Sequence, residues 1–369
     1  MSGAFDFLIV GGGMAGMSCG YELARHGRVA VLEREAREGT QATGRSAALY
    51  LASYGGAAVR RLNRVSRAFF DRPPEGFAET PILAPRGCLN IALPQHLASL
   101  DELARESADC MRRMGRDEIL SLVPILRPQY AGGALYEEGA ADIDVNALLQ
   151  GYLRGMKRAG GTLVTDAGVT AIARAGGRWT VESRGGRFIA PVLVDAAGAW
   201  ADEIAVLAGA RPLGLQPMRR TVTLIDAPKV AGFAGWPAVA DAIGSFYFKP
   251  DAGQLLISPA DETPMRPVVD VSDDEDDVRL ALHRYSEATT GQPSRPRHSW
   301  AGLRTFTPDR AQAIGFDARV PGFFWLAGQG GYGIQSAPAA AQLAAGLIAG
   351  TSAPDVDADA FSPARFAGA

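Results

Sequence analysis

Gly11, Gly13 and Gly16 follow directly on an apolar run, residues 5–10, and set the spacing G-x-G-x-x-G. The pattern predicts a helix over 14–26, stopped by Gly27, and a second strand over 29–32 that ends at Glu33. Strand, tight turn, helix, strand and acid in that order make the βαβ unit that binds dinucleotides. Gly11 allows the turn. Gly13, without a Cβ, lets the backbone approach a pyrophosphate. Gly16 brings helix and strand together, and Gly20 and Ala24 continue the small stripe. The N–H groups at the helix start face phosphate, and Glu33 can accept from a ribose. The glycine motif alone does not choose among dinucleotides, NAD included.

The other 336 residues must complete that unit and supply a partner for it; with 369 residues, 47% hydrophobic and 21% charged, about two domains with a large core are expected. A net charge of −3 without a long Lys/Arg block argues against nucleic acid and anionic membrane as partners. Cys19, Cys88 and Cys110 lie far apart with no C-x-x-C, which argues against a disulfide framework or a metal site and suits a cytoplasmic setting. No signal peptide and no transmembrane stretch is expected.

Further along, helices are expected over 57–70, 97–114, 117–122 and 145–159, the last capped by Asp144. Strands are expected over 87–93, 162–164, 169–174, 179–183 and 221–225, with a hairpin of 245–249 and 254–258 turning at Pro250-Asp251-Ala252-Gly253. Asp273, Asp274 and Glu275 open a helix to about Glu287. A buried strand over 192–195 runs into the small-residue turn Ala196-Ala197-Gly198-Ala199-Trp200. Another, 323–327, runs into Gly328-Gln329-Gly330-Gly331-Tyr332-Gly333, which opens a helix to Gly350 with Pro338 in its first turn. The tail after Thr351 reads as weakly structured, and the loop over 34–56 as long and mobile.

The βαβ unit with Glu33, the segment Val192-Leu193-Val194-Asp195-Ala196-Ala197-Gly198-Ala199-Trp200, and Trp325-Leu326-Ala327-Gly328-Gln329-Gly330-Gly331-Tyr332-Gly333 resemble, in that order, the flavin-binding signatures of the D-amino-acid oxidase-like superfamily. Thr43-Gly44-Arg45-Ser46-Ala47-Ala48, Gly139-Ala140-Ala141-Asp142-Ile143-Asp144, Ser245-Phe246-Tyr247-Phe248-Lys249-Pro250-Asp251 and Trp300-Ala301-Gly302-Leu303-Arg304 are most similar to bacterial D-arginine dehydrogenases. The resemblance implies an α/β fold: a Rossmann-like FAD-binding domain from residues 1–80, 140–213 and 300–362, and a substrate domain with a largely antiparallel β-sheet from 81–139 and 214–299. It implies FAD contacts from Gly11, Gly13, Met14, Ala15, Gly16, Glu33 and Arg34; from Thr43, Gly44, Arg45, Ser46, Ala47 and Ala48; from Val169, Ala197, Gly198 and Trp200; and from Arg304, Gly328, Gly330, Gly331, Tyr332, Gly333, Ile334 and Gln335. Sarcosine-oxidase relatives tether the flavin through a cysteine two residues before the position of Arg304. Gly302 stands there, so non-covalent FAD is expected.

The activity implied is oxidation of a D-amino acid to an imino acid by hydride transfer from Cα to flavin N5, followed by hydrolysis to a 2-oxo acid and ammonia. Such a substrate needs a cation for its carboxylate, and the planar fork of arginine suits it. By resemblance Arg220 and Arg304 form that pair, while Arg219 points the other way on an extended chain. Alternation puts Phe246 and Phe248 on one face and Tyr247 on the other, free to meet substrate. Tyr54 is the second tyrosine contact or lid residue. Gly331 and Gln335 adjoin the pocket. None of the four histidines lies in a flavin motif, so no general base is assigned. Leu49, Leu51 and Cys88 stand where the relatives are polar or acidic, which points to apolar or uncharged substrate side chains; an acid from elsewhere, such as Glu79, would reverse that. The alternatives are a secondary-amine or opine oxidase, alone or as a subunit, and a flavoprotein without turnover. The electron acceptor, oxygen or a quinone- or dye-like molecule, and the choice between monomer and homodimer are not encoded in any motif.

Overall fold

In the computed structural model, which describes residues 2–367, three distant parts of the chain meet in one six-stranded sheet. Its order is Thr162–Val164, Val29–Leu32, Phe7–Val10, Val192–Asp195, Phe323–Ala327, Ala313–Phe316. The first five strands are parallel and the last antiparallel. The central strands are buried on both faces, which is why they read as unbroken apolar runs rather than alternating ones. On one face Ile9, Val31 and Phe324 pack against the helices Met14–Leu23, Val145–Arg158 and Ala337–Ala349. On the other, Leu8, Leu193 and Trp325 meet Trp179, Val181 and Phe188 of a smaller four-stranded sheet.

A nine-stranded sheet carries the other half of the cleft. Its pairs are antiparallel apart from Ala238–Asp241 beside Cys88–Ile91. The long strand Gln216–Asp226 lies against His298–Phe306, from Gln216 opposite Phe306 to Leu224 opposite His298. The Tyr247–Asp251 and Gln254–Ser258 hairpin turns through Ala252 and Gly253, both with positive φ (46° and 79°). That is the mirror-image turn whose twist matches paired strands. The helix Glu275–Ala288, capped by the Asp274 side chain, packs on this sheet through Ala281, Tyr285 and Ala288. A three-stranded sheet, Leu49–Tyr50, Ala141–Ile143 and Leu83–Pro85, fastens the loop after Glu33.

Four local expectations are corrected. The helix expected over 97–114 ends at Glu106, and Arg112–Met114 is an edge strand on Ala134–Glu137. The loop carrying Tyr54 is not a loose flap: part of it is strand, and its backbone is hydrogen-bonded throughout 51–54. The glycine turn after Ala327 does not lead straight into helix; regular helix begins at Ala337. The tail after Thr351 folds back, burying Phe361 (1% exposed) and bonding Arg365 to Asp309 and to the carbonyls of Ala311 and Gln312. Among the described residues no helix is long and apolar enough to cross a membrane.

Candidate active site

The carboxyl ends of the parallel strands open into one cleft of ≈ 1820 Å³, its open mouth included. This is where an open parallel sheet places its ligand. The cleft brings together Gly11, Gly13, Met14, Ala15, Glu33 and Arg34; Thr43, Arg45, Ser46 and Ala47; Val169, Ala197, Gly198 and Trp200; and Gly302, Arg304, Gly330, Gly331, Gly333 and Ile334. Arg220 and Tyr247 line the same space. Of the other residues singled out from the sequence, Gly16, Gly44, Ala48, Gly328, Tyr332, Gln335, Tyr54, Leu49, Leu51 and Cys88 stand behind or beside this lining.

The glycines divide by cause. A Cβ on Gly11 (φ 109°) would lie 2.3 Å from the Ala196 carbonyl oxygen, and one on Gly16 1.9 Å from the Gly11 oxygen, so both serve packing of the turn itself. Around Gly13 only the Thr43 hydroxyl comes within 3.3 Å, so its backbone faces open cleft. Glu33 accepts from Gly12 N–H at 2.7 Å and from Glu35 N–H at 2.8 Å. Burial pushes its carboxyl pKa up, partly offset by those two N–H groups. The Arg34 guanidinium lies 4.0 Å over the Trp200 ring, a cation–π contact at the far end of the cleft from Arg304.

At the other end the alternation along Gln216–Asp226 sorts its arginines. Arg219 turns away to Asp274 and Asp277, at 3.1 and 2.7 Å. Arg220, its side chain 10% exposed, donates through Nε to the Asp261 carbonyl at 2.7 Å and pairs with Glu262 at 3.1 Å. Burial, and the nearness of Arg304, lower its pKa. Arg304 has a single side-chain partner among the described residues, the Tyr54 hydroxyl at 3.1 Å. Burial opposes its charge, but Tyr54, Tyr247, Glu262 and Asp261 outweigh that and hold its pKa up. The Tyr247 hydroxyl is buried without a partner among the described residues, while Phe246 and Phe248 stack on the opposite face, 6.3 Å apart. A Cβ on Gly331 would fall 2.6 Å from the Tyr54 hydroxyl and 2.8 Å from an Arg304 nitrogen, so this glycine lets the turn back directly onto that pair.

Leu49, Leu51 and Cys88 do come together, in an apolar cluster with Ala140, Ala238 and Ala240. The Cys88 thiol is 1% exposed, and burial pushes its pKa up, so it is a neutral packing group. Gln335 is buried, and its Oε1 accepts from Leu51 N–H at 2.7 Å. Two acids escaped the sequence reading. Glu262 bridges Arg220 and Arg310, pairing with the latter at 2.8 Å. Glu137, opposite Cys88 in the sheet, is 1% exposed and bonds to the loop of Ala52 and Ser53, whereas Glu79 is exposed. In Tyr136-Glu137-Glu138-Gly139 the two acids look alike; the first ends the strand and is buried, and the second lies in the exposed turn after it.

A family model described as "DAO: FAD dependent oxidoreductase" matches residues 6–347. The chain is 27% identical over 368 residues to glycine oxidase of Geobacillus kaustophilus, covering 94% of each. It is 26% identical over 424 residues to hydrogen cyanide synthase subunit HcnC of Pseudomonas aeruginosa, covering 99% of this chain and 97% of that one. The crystal structure of the Geobacillus kaustophilus glycine oxidase superposes with a TM-score of 0.84 at 26% identity, covering 97% of this chain and 98% of that one. L-proline dehydrogenase from P. horikoshii shares the fold, with a TM-score of 0.87 at 19% identity over 100% and 99% of the two chains.

Proposed function

Because the chain belongs to the DAO family of FAD dependent oxidoreductases, we propose that it oxidises an α-amino acid with a small or apolar, uncharged side chain, glycine or a D-amino acid, to the imino acid. The observation that carries this reading is Arg304: a guanidinium at the cleft with one neutral partner among the described residues. Its charge is held by the nearby Glu262 and Asp261, while its N–H groups have only the Tyr54 hydroxyl as a side-chain partner among the described residues, so an incoming carboxylate can take two parallel hydrogen bonds.

The residues present fit FAD. Gly13 offers open backbone at the helix start, Glu33 lies at the end of the second strand, and the cleft runs on from there to Arg304. Gly302 carries no nucleophile, and a Cβ there would already lie 3.2 Å from the Arg45 Cβ, which supports non-covalent binding. When bound, FAD supplies the acceptor for the hydride that leaves Cα.

The chain's own part is orientation. Arg304 and Arg220 hold the carboxylate, and Tyr247 offers its unpartnered hydroxyl to the same group. Tyr54 steadies Arg304 from behind. The apolar cluster of Leu49, Leu51 and Cys88 lies beside this site. Glu137 is 1% exposed and is not among the residues lining the cleft; its carboxylate faces the loop of Ala52 and Ser53 rather than the substrate space. The likeness to a glycine oxidase agrees with a small amino-acid substrate.

The test is a screen of the purified flavoprotein against glycine, D- and L-amino acids and N-methylated amino acids, with a dye acceptor and with oxygen. Turnover of glycine or uncharged D-amino acids supports the reading. Turnover confined to N-substituted substrates replaces it with secondary-amine oxidation.

A further inference from the structure

Residues 51–54 carry Tyr54 to Arg304; besides the bond from Tyr54 N–H to the Leu51 carbonyl at 3.3 Å, they are fixed by side chains from three other parts of the chain. Leu51 N–H donates to Gln335 Oε1 at 2.7 Å, and Asn63 Nδ2 donates to the Tyr54 carbonyl at 3.0 Å. Between them, one carboxylate does the holding. Ala52 N–H donates to Glu137 Oε1 at 2.5 Å, Ser53 O–H donates to Oε2 at 2.5 Å, and Ser53 N–H bonds to the same carboxylate.

Glu137 is 1% exposed and has no ion-pair partner among the described residues. Arg64, which acts on it electrostatically, is paired with Asp109 at 2.9 Å. A buried acid without a cation is a poor stabiliser, and it persists here because three donors converge on it. Those donors also explain the residue type. An ionised carboxylate accepts through both oxygens, whereas a glutamine offers a single acceptor oxygen to the three donors.

We propose that Glu137 is a positioning residue for substrate: by fixing residues 51–54 it keeps the Tyr54 hydroxyl on Arg304 and so pre-forms the carboxylate site. Its strand, Ala134–Glu137, belongs to the nine-stranded sheet that also carries Arg220, Tyr247 and Arg304. Glu137 thereby ties the loop to the frame that bears the other substrate contacts. This inference rests on the reading of Arg304 and Tyr54 as the carboxylate site.

The experiment compares wild type with Glu137→Gln, Tyr54→Phe and the double variant, all as FAD-loaded full-length protein. Hydrogen exchange of the segment 49–56 in Glu137→Gln should quicken about tenfold while the Met14–Leu23 helix is unchanged. KM for the amino acid, or Kd for acetate read by flavin absorbance, should rise about tenfold with kcat changed far less. On the Tyr54→Phe background the Glu137→Gln effect should shrink to a small fraction of its size. If Glu137→Gln does not retain FAD, Ser53→Ala removes one donor and should shift KM the same way by a smaller factor. Unchanged exchange at 49–56, unchanged KM, or effects that multiply independently overturn the inference. A wild type that neither oxidises amino acids nor binds acetate overturns the functional reading itself. Equal behaviour of an active wild type and Glu137→Gln overturns only the role of Glu137.

Discussion

The Arg304 guanidinium lies 3.1 Å from the Tyr54 hydroxyl, joining a strand of the nine-stranded sheet to a loop that begins near the six-stranded one. Gly331 closes on the pair from the glycine turn, so three separate segments meet at one point of the cleft. Glu262 and Asp261 act on this cation from nearby, but among side chains of the described residues only the Tyr54 hydroxyl bonds to it, which leaves guanidinium N–H groups for a substrate carboxylate.

Arg304→Met should therefore abolish productive amino-acid binding while FAD stays bound. The expected loss is about 2 kcal/mol or more in kcat/KM, because a desolvated carboxylate is left half-paired. Arg220→Met should act in the same direction and more weakly, since Glu262 and the Asp261 carbonyl already occupy part of Arg220. Steady-state kinetics beside a flavin-to-protein absorbance ratio measures both, and normal kinetics in Arg304→Met removes the clamp.

Gly331→Ala should raise KM with little change in flavin content. The nearest atoms to its added methyl are the Tyr54 hydroxyl and the Arg304 guanidinium, which must shift by some tenths of an ångström. An unchanged KM would mean the pair does not contact substrate.

Glu33→Ala should weaken FAD retention by about 1.5–3 kcal/mol, the worth of hydrogen bonds to a charged group. Dialysis against apoprotein acceptors or direct titration with FAD measures it; equal affinity would exclude Glu33 as a ribose ligand. The released yellow colour should follow FAD into the supernatant after acid denaturation, as non-covalent binding at Gly302 requires.

Asp195 makes a pH prediction. Its Oδ1 accepts from Ala197 N–H at 3.1 Å, and its Oδ2 is buried without a partner among the described residues. Burial raises its pKa well above the ordinary carboxylate range. The folded state thus holds this proton more tightly than the unfolded chain, whose Asp titrates near pH ~3.9. The group's contribution to stability is undiminished below that pH and falls as pH rises toward the folded pKa. Asp195→Asn removes the decline, so its Tm relative to wild type should climb as the pH is raised from acid to neutral. Parallel Tm curves would contradict a raised pKa.

Much of this was legible in the sequence for identifiable reasons. The βαβ unit announces itself because fully buried strands are apolar throughout and the turn between them tolerates only glycine at Gly11 and Gly16. Strand alternation separated Arg219 from Arg220 and Tyr247 from its phenylalanines before any coordinates. Glu137 was hidden because nothing in the sequence says that the strand ends between Glu137 and Glu138, leaving the first buried and the second in an exposed turn. Glu262 was hidden because it sits between two strands, where polar residues are unremarkable in sequence. The helix over 97–114 was overestimated because helix formers run on past Glu106. There Ser107 ends the helix, and Arg112–Met114 satisfies its backbone on Ala134–Glu137 instead. The tail misled for the opposite reason: Val356, Phe361 and Phe366 are scattered among Asp, Ser and Pro without a helical or strand period, and only tertiary contact reveals the burial of Phe361.

Anaerobic mixing of the FAD-loaded protein with single amino acids tests the central claim most directly, because it reads reduction of the flavin independently of the acceptor. The account predicts loss of the oxidised flavin band with glycine or with uncharged D-amino acids such as D-leucine or D-methionine, faster than with D-arginine. No reduction by any α-amino acid, or fastest reduction by D-arginine, would contradict it.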